Sequence, residues 1–430
     1  MNATTSAALI LAVMVGAYII ARALKLSTEL SLFAAALAGS LAGGNGIPVR
    51  HIVEGAFTYF DIILIFVAAT LFMNLLKESG GAAFAVRAIL RRFHRRKGLL
   101  LALLAILLLI PGALTGAGSV TVLILGGMVA TVLGTMEIPK PKVAAIIFVI
   151  AGLSAAAPPI NLWAMLTAAG VNMPYVGFFL PLLVPCVILA LTTIFILGRK
   201  AKPVNLEKAL RELPESPPRM NWARVGTPFL AFIVLLVAGR VFPFSFPILG
   251  LPLMFMASAL LAFLLSPVRL DVLRISRETV HQLLPLIGTL TCAGILVQIM
   301  TLTGVRGLIA ITTVTLPVTV VFLTLCLTLP VSETVLMWGS APVLGVPLVL
   351  FFNTIGLNPI VALAGMTIIW PLGDAIPPTA IIGRLTVATV GMKEPYSRFL
   401  KHCLVPALLI AIVGTLMVVF SKKLAFLTLF

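Results

Sequence analysis

The sequence predicts an all-α polytopic membrane protein of two inverted-topology repeats, with roughly ten full crossings, two re-entrant hairpins and two broken helices. Composition, the placement of lysine and arginine, and an internal repeat support this fold class. Of 430 residues, 61% are apolar and 10% charged, at a mean hydropathy of +1.19. Too little polar surface remains to cover a water-soluble globule. The formal charge of +17 would suit nucleic acid, but the basic residues sit in short loops between apolar spans, where membrane topology accounts for them.

A bilayer core needs about 20 apolar residues per helix. Apolar runs at 7–24, 31–41, 62–76, 176–197, 227–241 and 404–420 reach or approach that length with their small-residue flanks, and no strand-like alternation appears. The first run starts almost at once, without a basic leader or a small-residue cleavage site, so it is expected to remain as a span. Cys186, Cys292, Cys326 and Cys403 fall inside apolar runs without CxxC spacing and read as small core residues; neither a disulfide nor a zinc site is expected.

With the N-terminus outside, the segments 22–29, 77–97, 137–142, 199–224, 269–281 and 393–402 face the cytoplasm. They hold 24 of the 30 lysines and arginines, against five on the outer side: Arg50, Arg240, Arg306, Lys422 and Lys423. That asymmetry sets the orientation, and Arg384 is left inside an apolar stretch. The long apolar stretches 99–133 and 308–352 return to the side they leave, which gives each half five crossings and one hairpin. An odd number of crossings inverts the second half.

Sliding the chain by 219 residues aligns Pro111 with Pro330, Thr115 with Thr334, and the pair Pro158 and Pro159 with Pro377 and Pro378. Leu166 and Thr167 meet Leu385 and Thr386 at the same offset, while 69–80 matches 293–304 at an offset of 224, with Asn74 opposite Gln298. The halves are therefore 1–198, with hairpin 99–133 and broken helix 141–172, and 225–430, with hairpin 308–352 and broken helix 358–391. The proline-rich, mixed-charge stretch 199–224 is a cytoplasmic linker. Inverted repeats of this kind are a signature of secondary transporters.

Unpaired backbone groups are tolerated at membrane depth only inside protein or along a polar cavity, so helix breaks locate the working centre. Four breaks are readable: hairpin tips at 111–119 and 330–334, and double-proline breaks at 155–161 and 373–379. Half-helix C-termini and freed carbonyls suit a cation such as Na+, and half-helix N-termini suit an anion. Gly126, Gly127 and Gly345 read instead as close helix packing. Glu333 and Asp374 are the carboxylates of the midplane region and are expected at a cation or proton site, with a structural pair to Arg384 or a helix cap as the alternative. Arg384 either binds a solute carboxylate or neutralises Asp374. Asp61 is interfacial, Asn74 and Gln298 bridge helices, and His51, His94, His281 and His402 form no metal site.

The TGAGS tip, the break GLSAAAPPINLWAMLTAAGVNMP and the stretch IGLNPIVALAGMTIIWPLGDAIPPTAI resemble the large membrane subunit of tripartite ATP-independent periplasmic (TRAP) transporters, within a broader ion-transporter superfamily. The likeness covers nearly the whole chain, including the basic arm 87–97. It implies an elevator-type transport domain of hairpins and broken helices moving against a scaffold, in a bacterial or archaeal inner membrane. It further implies Na+ as coupling ion with no other cofactor, C4-dicarboxylate-like solutes, a small membrane subunit and a periplasmic solute-binding protein. Carried over by motif, the ion sites comprise Thr115, Gly116, Gly118, Ser119 and Asn161 at the first tip and break, and Ser332, Glu333, Thr334, Asp374, Pro378 and Thr379 at the second. Arg384, Asn161 and Thr379 are the expected solute contacts. The chain departs from the family pattern at Thr121, where an acidic residue is usual, and at Glu333, where Asp is. A free-standing Na+- or H+-coupled organic-anion symporter of the same superfamily is the alternative. An intramembrane enzyme is not expected, because HExxH, GxSxG and His-Asp constellations are missing from the sequence.

Overall fold

The computed structural model describes residues 3–242, 244–247, 249–377 and 379–429, which contain helices and turns and no strand. The first half runs through α1 (Ala3–Ala23), α2 (Thr28–Ala42), α3 (Val49–Phe57), α4 (Phe60–Glu78), α5 (Gly81–Phe93), α6 (Lys97–Thr115), α7 (Gly118–Thr121), α8 (Gly127–Thr135), α9 (Lys140–Ala156), α10 (Leu162–Gly170) and α11 (Phe179–Gly198). The short linker helix α12 (Leu206–Glu212) follows. The second half comprises α13 (Trp222–Val241), α14 (Leu251–Leu264), α15 (Val272–Leu302), α16 (Val305–Thr315), α17 (Val318–Leu336), α18 (Val346–Thr354), α19 (Pro359–Ile369), α20 (Ile381–Val390) and α21 (Tyr396–Val419). Among the described residues, nine helical stretches are long and apolar enough to cross a membrane, three of them hairpin arms. At 15 and 14 residues, α2 and α14 are shorter than the roughly 20 residues an upright span needs.

Polar residues in the loops start several of these helices. The side chains of Asn205, Asn221, Asp271 and Asn358 each accept a hydrogen bond from an amide of the first turn that follows, satisfying donors the helix itself leaves open.

Helix bounds recur at the spacing found in the sequence. The π-turns Val122–Gly126 and Ala341–Gly345 lie 219 residues apart, as do α8 and α18. Left-handed backbone recurs at the same step, at Glu137 and Gly356 (φ 58° and 76°) and at Asn172 and Gly391 (φ 54° and 62°). The packing is reciprocal as well: α2 lies against α15 and α14 against α4, while α10 packs on the second π-turn and α20 on the first. One large core cluster spans both halves, and a second, smaller one joins α1, α2 and α15. On α3 and α15, Gly55 and Gly294 meet so closely that a Cβ on Gly55 would stand 2.5 Å from the Ile295 Cα.

Two expected bounds shift. The second hairpin starts at Val318 rather than 308, because Val305–Thr315 is a separate helix, the counterpart of α5. Its tip lies beyond 330–334: α17 continues through Pro330 to Leu336, and the chain turns at Met337, whose φ is 53°. A proline withholds only one helix hydrogen bond, that of its own nitrogen to the carbonyl four residues back, so both helices run on past their prolines; the Thr334 and Thr115 hydroxyls also donate to the Pro330 and Pro111 carbonyls at 2.9 and 2.7 Å.

Candidate functional site

At the first tip, α6 ends on Gly116 with φ 65°, and Gly118 opens α7 against the Ala151 carbonyl of α9. The break after α9 reaches back to this arm, the Ile160 amide donating to the Ala113 carbonyl at 3.0 Å. Asn161 spans the break: its Oδ1 accepts from the Ala164 amide at 2.9 Å and its Nδ2 donates to the Ala156 carbonyl at 2.7 Å. Below the tip, the Gly112 amide donates to Thr121 Oγ1 at 2.9 Å, Thr121 and Ser154 hydroxyls bond at 2.9 Å, and Ser154 donates to the Ala151 carbonyl at 2.6 Å. Thr115, Gly116, Gly118 and Asn161 are thus brought together, with Thr115 and Asn161 bonded to the protein itself. Ser119 is half-buried and makes no side-chain hydrogen bond among the described residues. Removing the Asn161 amide in Asn161→Ala is expected to cost about 1–2 kcal/mol through the lost cap and bridge, read as a lower thermal midpoint in detergent. An unchanged midpoint would show that the amide does not hold the break.

The second tip carries different chemistry. Glu333, 1% exposed, accepts from Trp163 Nε1 at 2.9 Å and from the Ser340 hydroxyl at 2.5 Å, both on Oε2. Its Oε1 has no partner, and neither has Asp374 Oδ2, although Asp374 is only 7% exposed. None of the four ion pairs among the described residues involves either carboxylate. The break and the tip interlock: Thr334 donates to the Gly373 carbonyl at 3.0 Å, and Thr379 donates to the Thr334 carbonyl at 3.0 Å. Ser332 accepts from Trp370 Nε1 at 3.3 Å. Ser332, Glu333, Thr334, Asp374 and Thr379 therefore converge, while Pro378 lies outside the described residues. Buried acceptors with neither donor nor counter-charge are costly, and two of them together form the arrangement a small cation or proton relieves.

Arg384 does not pair with Asp374. It is exposed on α20 and its guanidinium has no hydrogen bond or ion pair among the described residues, so the neutralising role is not seen. Asn74 does bridge helices, donating from α4 to Thr279 of α15 at 2.9 Å. Asp61 is exposed. The sequence reading missed Trp163, Ser340, Thr121 and Ser154 as site residues. A signal was present for two of them, since Ser340 stands 219 residues after Thr121, opposite it in the repeat.

With this geometry the chain can be set beside solved structures. It aligns with the Alcanivorax borkumensis YdaH transporter at a TM-score of 0.60 and 14% identity, over 86% of this chain and 87% of that one. It aligns with Neisseria gonorrhoeae MtrF, described with a class of antimetabolite efflux pumps, at a TM-score of 0.63 and 14% identity, over 86% and 83%. The chain shares their fold. No family model matches it, and no curated protein sequence matches it either. Because likeness at 14% identity speaks for architecture alone, YdaH and MtrF support a multi-pass helical membrane fold and leave the chemistry to the residues above.

Proposed function

We propose that the chain is the membrane-spanning carrier of a secondary transport system that moves an organic anion across an inner membrane, driven by a cation gradient, with Na+ as the coupling ion. The observation that carries this reading is the pair of unpartnered buried oxygens on Glu333 and Asp374, set where a hairpin tip meets a broken helix. In this reading the two halves are inverted, the N-terminus is outside, and the cation enters at the second tip, with the first tip as a weaker site. The TRAP-like motifs further support a role as large permease, working with a small membrane subunit and a periplasmic solute-binding protein on an organic-acid solute. A free-standing carrier is the second reading; the fold neighbours, a transporter and a member of a class of efflux pumps, align over 83–87% of their chains at 14% identity.

Reconstitution tests both. The purified chain in liposomes is expected to take up labelled organic anions only with candidate partner subunits present and an inward Na+ gradient imposed. Uptake by the chain alone selects the free-standing carrier. Uptake that follows an imposed pH gradient and ignores Na+ makes the proton the coupling ion, and no gradient-dependent flux of any tested anion, with or without partners, removes the transport reading.

A further inference from the structure

An open cavity of about 720 Å3, with Val15, Ile19, Val331 and Val335 of its lining 41–59% exposed, lies where α1, α2, α15 and α16 face the second hairpin. Fourteen of its twenty lining residues are Leu, Ile, Val, Met or Ala; the remainder are Tyr18, Arg22, Thr328, Ser332, Thr334 and Thr379. Ser332 and Thr334 flank Glu333, and Thr379 follows the second break, so the cavity borders the candidate cation site.

The hydroxyl protons of that lining are already committed. Tyr18 donates to the Val335 carbonyl at the tip, Thr328 to Thr324, Ser332 to Leu329, Thr334 to Pro330 and Gly373, and Thr379 to Thr334. Arg22 gives one N–H to the Leu26 carbonyl at 2.8 Å, and its guanidinium has no other partner among the described residues. It is the one lining side chain with donors to spare and the one charge. Arg384, expected from the sequence to meet the solute, does not line the cavity.

From this donor inventory we infer that the solute is an amphipathic monoanion, a monocarboxylate with an extended apolar body, bound with its head on Arg22 and its body along α1. A second buried carboxylate would find neither donor nor counter-charge, which costs several kcal/mol, so the lining that accepts one anionic group rejects a dicarboxylate. Tyr18 stands one turn before Arg22 on the same helix face and holds the tip carbonyl, which sets the charged end of the cavity beside the cation site. From Leu11 to Arg22 the lining extends roughly 16 Å by helix rise, the length of an aryl-alkyl chain and its head. The inference rests on the transport reading and names the solute class for it.

The test is calorimetric titration of the full chain in phosphatidylcholine nanodiscs, with Na+ present and no gradient, using 4-phenylbutyrate, succinate and citrate as probes. Saturable binding of 4-phenylbutyrate is expected, with no displacement by a hundredfold excess of succinate or citrate. Arg22→Gln is expected to weaken it at least tenfold, Arg22→Lys to recover part of that loss, and Arg384→Gln to leave it unchanged. Val15→Trp, which narrows the cavity and keeps the charge, is expected to weaken it. No phenylbutyrate binding, equal binding of succinate, or sensitivity to Arg384→Gln in place of Arg22→Gln overturns the inference. So does displacement of phenylbutyrate by phosphatidylglycerol, which would make the cavity a lipid site. Because no gradient is imposed, selective binding without transport in liposomes would remove the transport reading and leave the cavity as a binding site for this class of anion.

Discussion

The double variant Glu333→Gln, Asp374→Asn is expected to abolish cation-driven uptake, with a fall of about 100-fold, equivalent to roughly 2.7 kcal/mol. Both side chains keep their shape as amides, so Trp163 Nε1 still finds an oxygen on residue 333 and the tip stays closed. What disappears is the pair of carboxylates, each with one buried oxygen that has no partner. The decisive measurement is apparent Na+ affinity in proteoliposomes, accompanied by a thermal midpoint. Uptake with unchanged Na+ dependence would move the coupling site away from the second half. A stability equal to or above that of the parent is expected, since removing an uncompensated buried charge relieves a cost even as function is lost.

Gly373→Ala is expected to act through geometry instead. A Cβ at this position would overlap the Pro330 carbonyl oxygen and stand 2.8 Å from the Glu333 Cβ, and a backbone carbonyl in a packed helix cannot move aside cheaply. The cost is about 1–3 kcal/mol of stability, together with a displaced tip and loss of the Thr334 bond to Gly373. Denaturation in detergent and Na+ affinity report the two effects separately; wild-type values for both would mean that the tip does not close on this break as described. The first half solves the same contact from the other side. There Ser154 occupies the position of Gly373 in the repeat, and Gly112 opposite it leaves the room, a Cβ on Gly112 standing 2.7 Å from the Ser154 Cβ.

The repeat was legible because prolines stand at one offset, Pro111 with Pro330 and the pair Pro158 and Pro159 with Pro377 and Pro378, while the apolar residues between them differ. The break positions followed from the same residues. The second tip was misplaced for a physical reason: Pro330 looked like a terminator, but a proline withholds only one hydrogen bond of the helix, and Met337, an unremarkable residue in sequence, takes the turn. Glu333 and Asp374 were readable as intramembrane acids, since charge at that depth has few structural uses. Their environment was not. That Trp163 and Ser340 share one oxygen of Glu333, that Asn161 is spent on the backbone, and that Arg384 makes no ion pair with Asp374 depend on approaches between segments, which spacing along the sequence does not encode.

The indole of Trp163 also has a mechanical meaning. It belongs to the broken helix of the first half and holds a carboxylate of the second, so any motion that parted the two centres would have to break a buried hydrogen bond to an acid and strand both partners, a loss on the order of 1–3 kcal/mol. Against α1 the second tip is held by one polar tie, the Tyr18 hydroxyl on the Val335 carbonyl, across a largely aliphatic void. Parting the second tip from Trp163 therefore breaks a buried bond, whereas parting it from α1 breaks, among the described residues, one exposed hydroxyl bond and aliphatic contact.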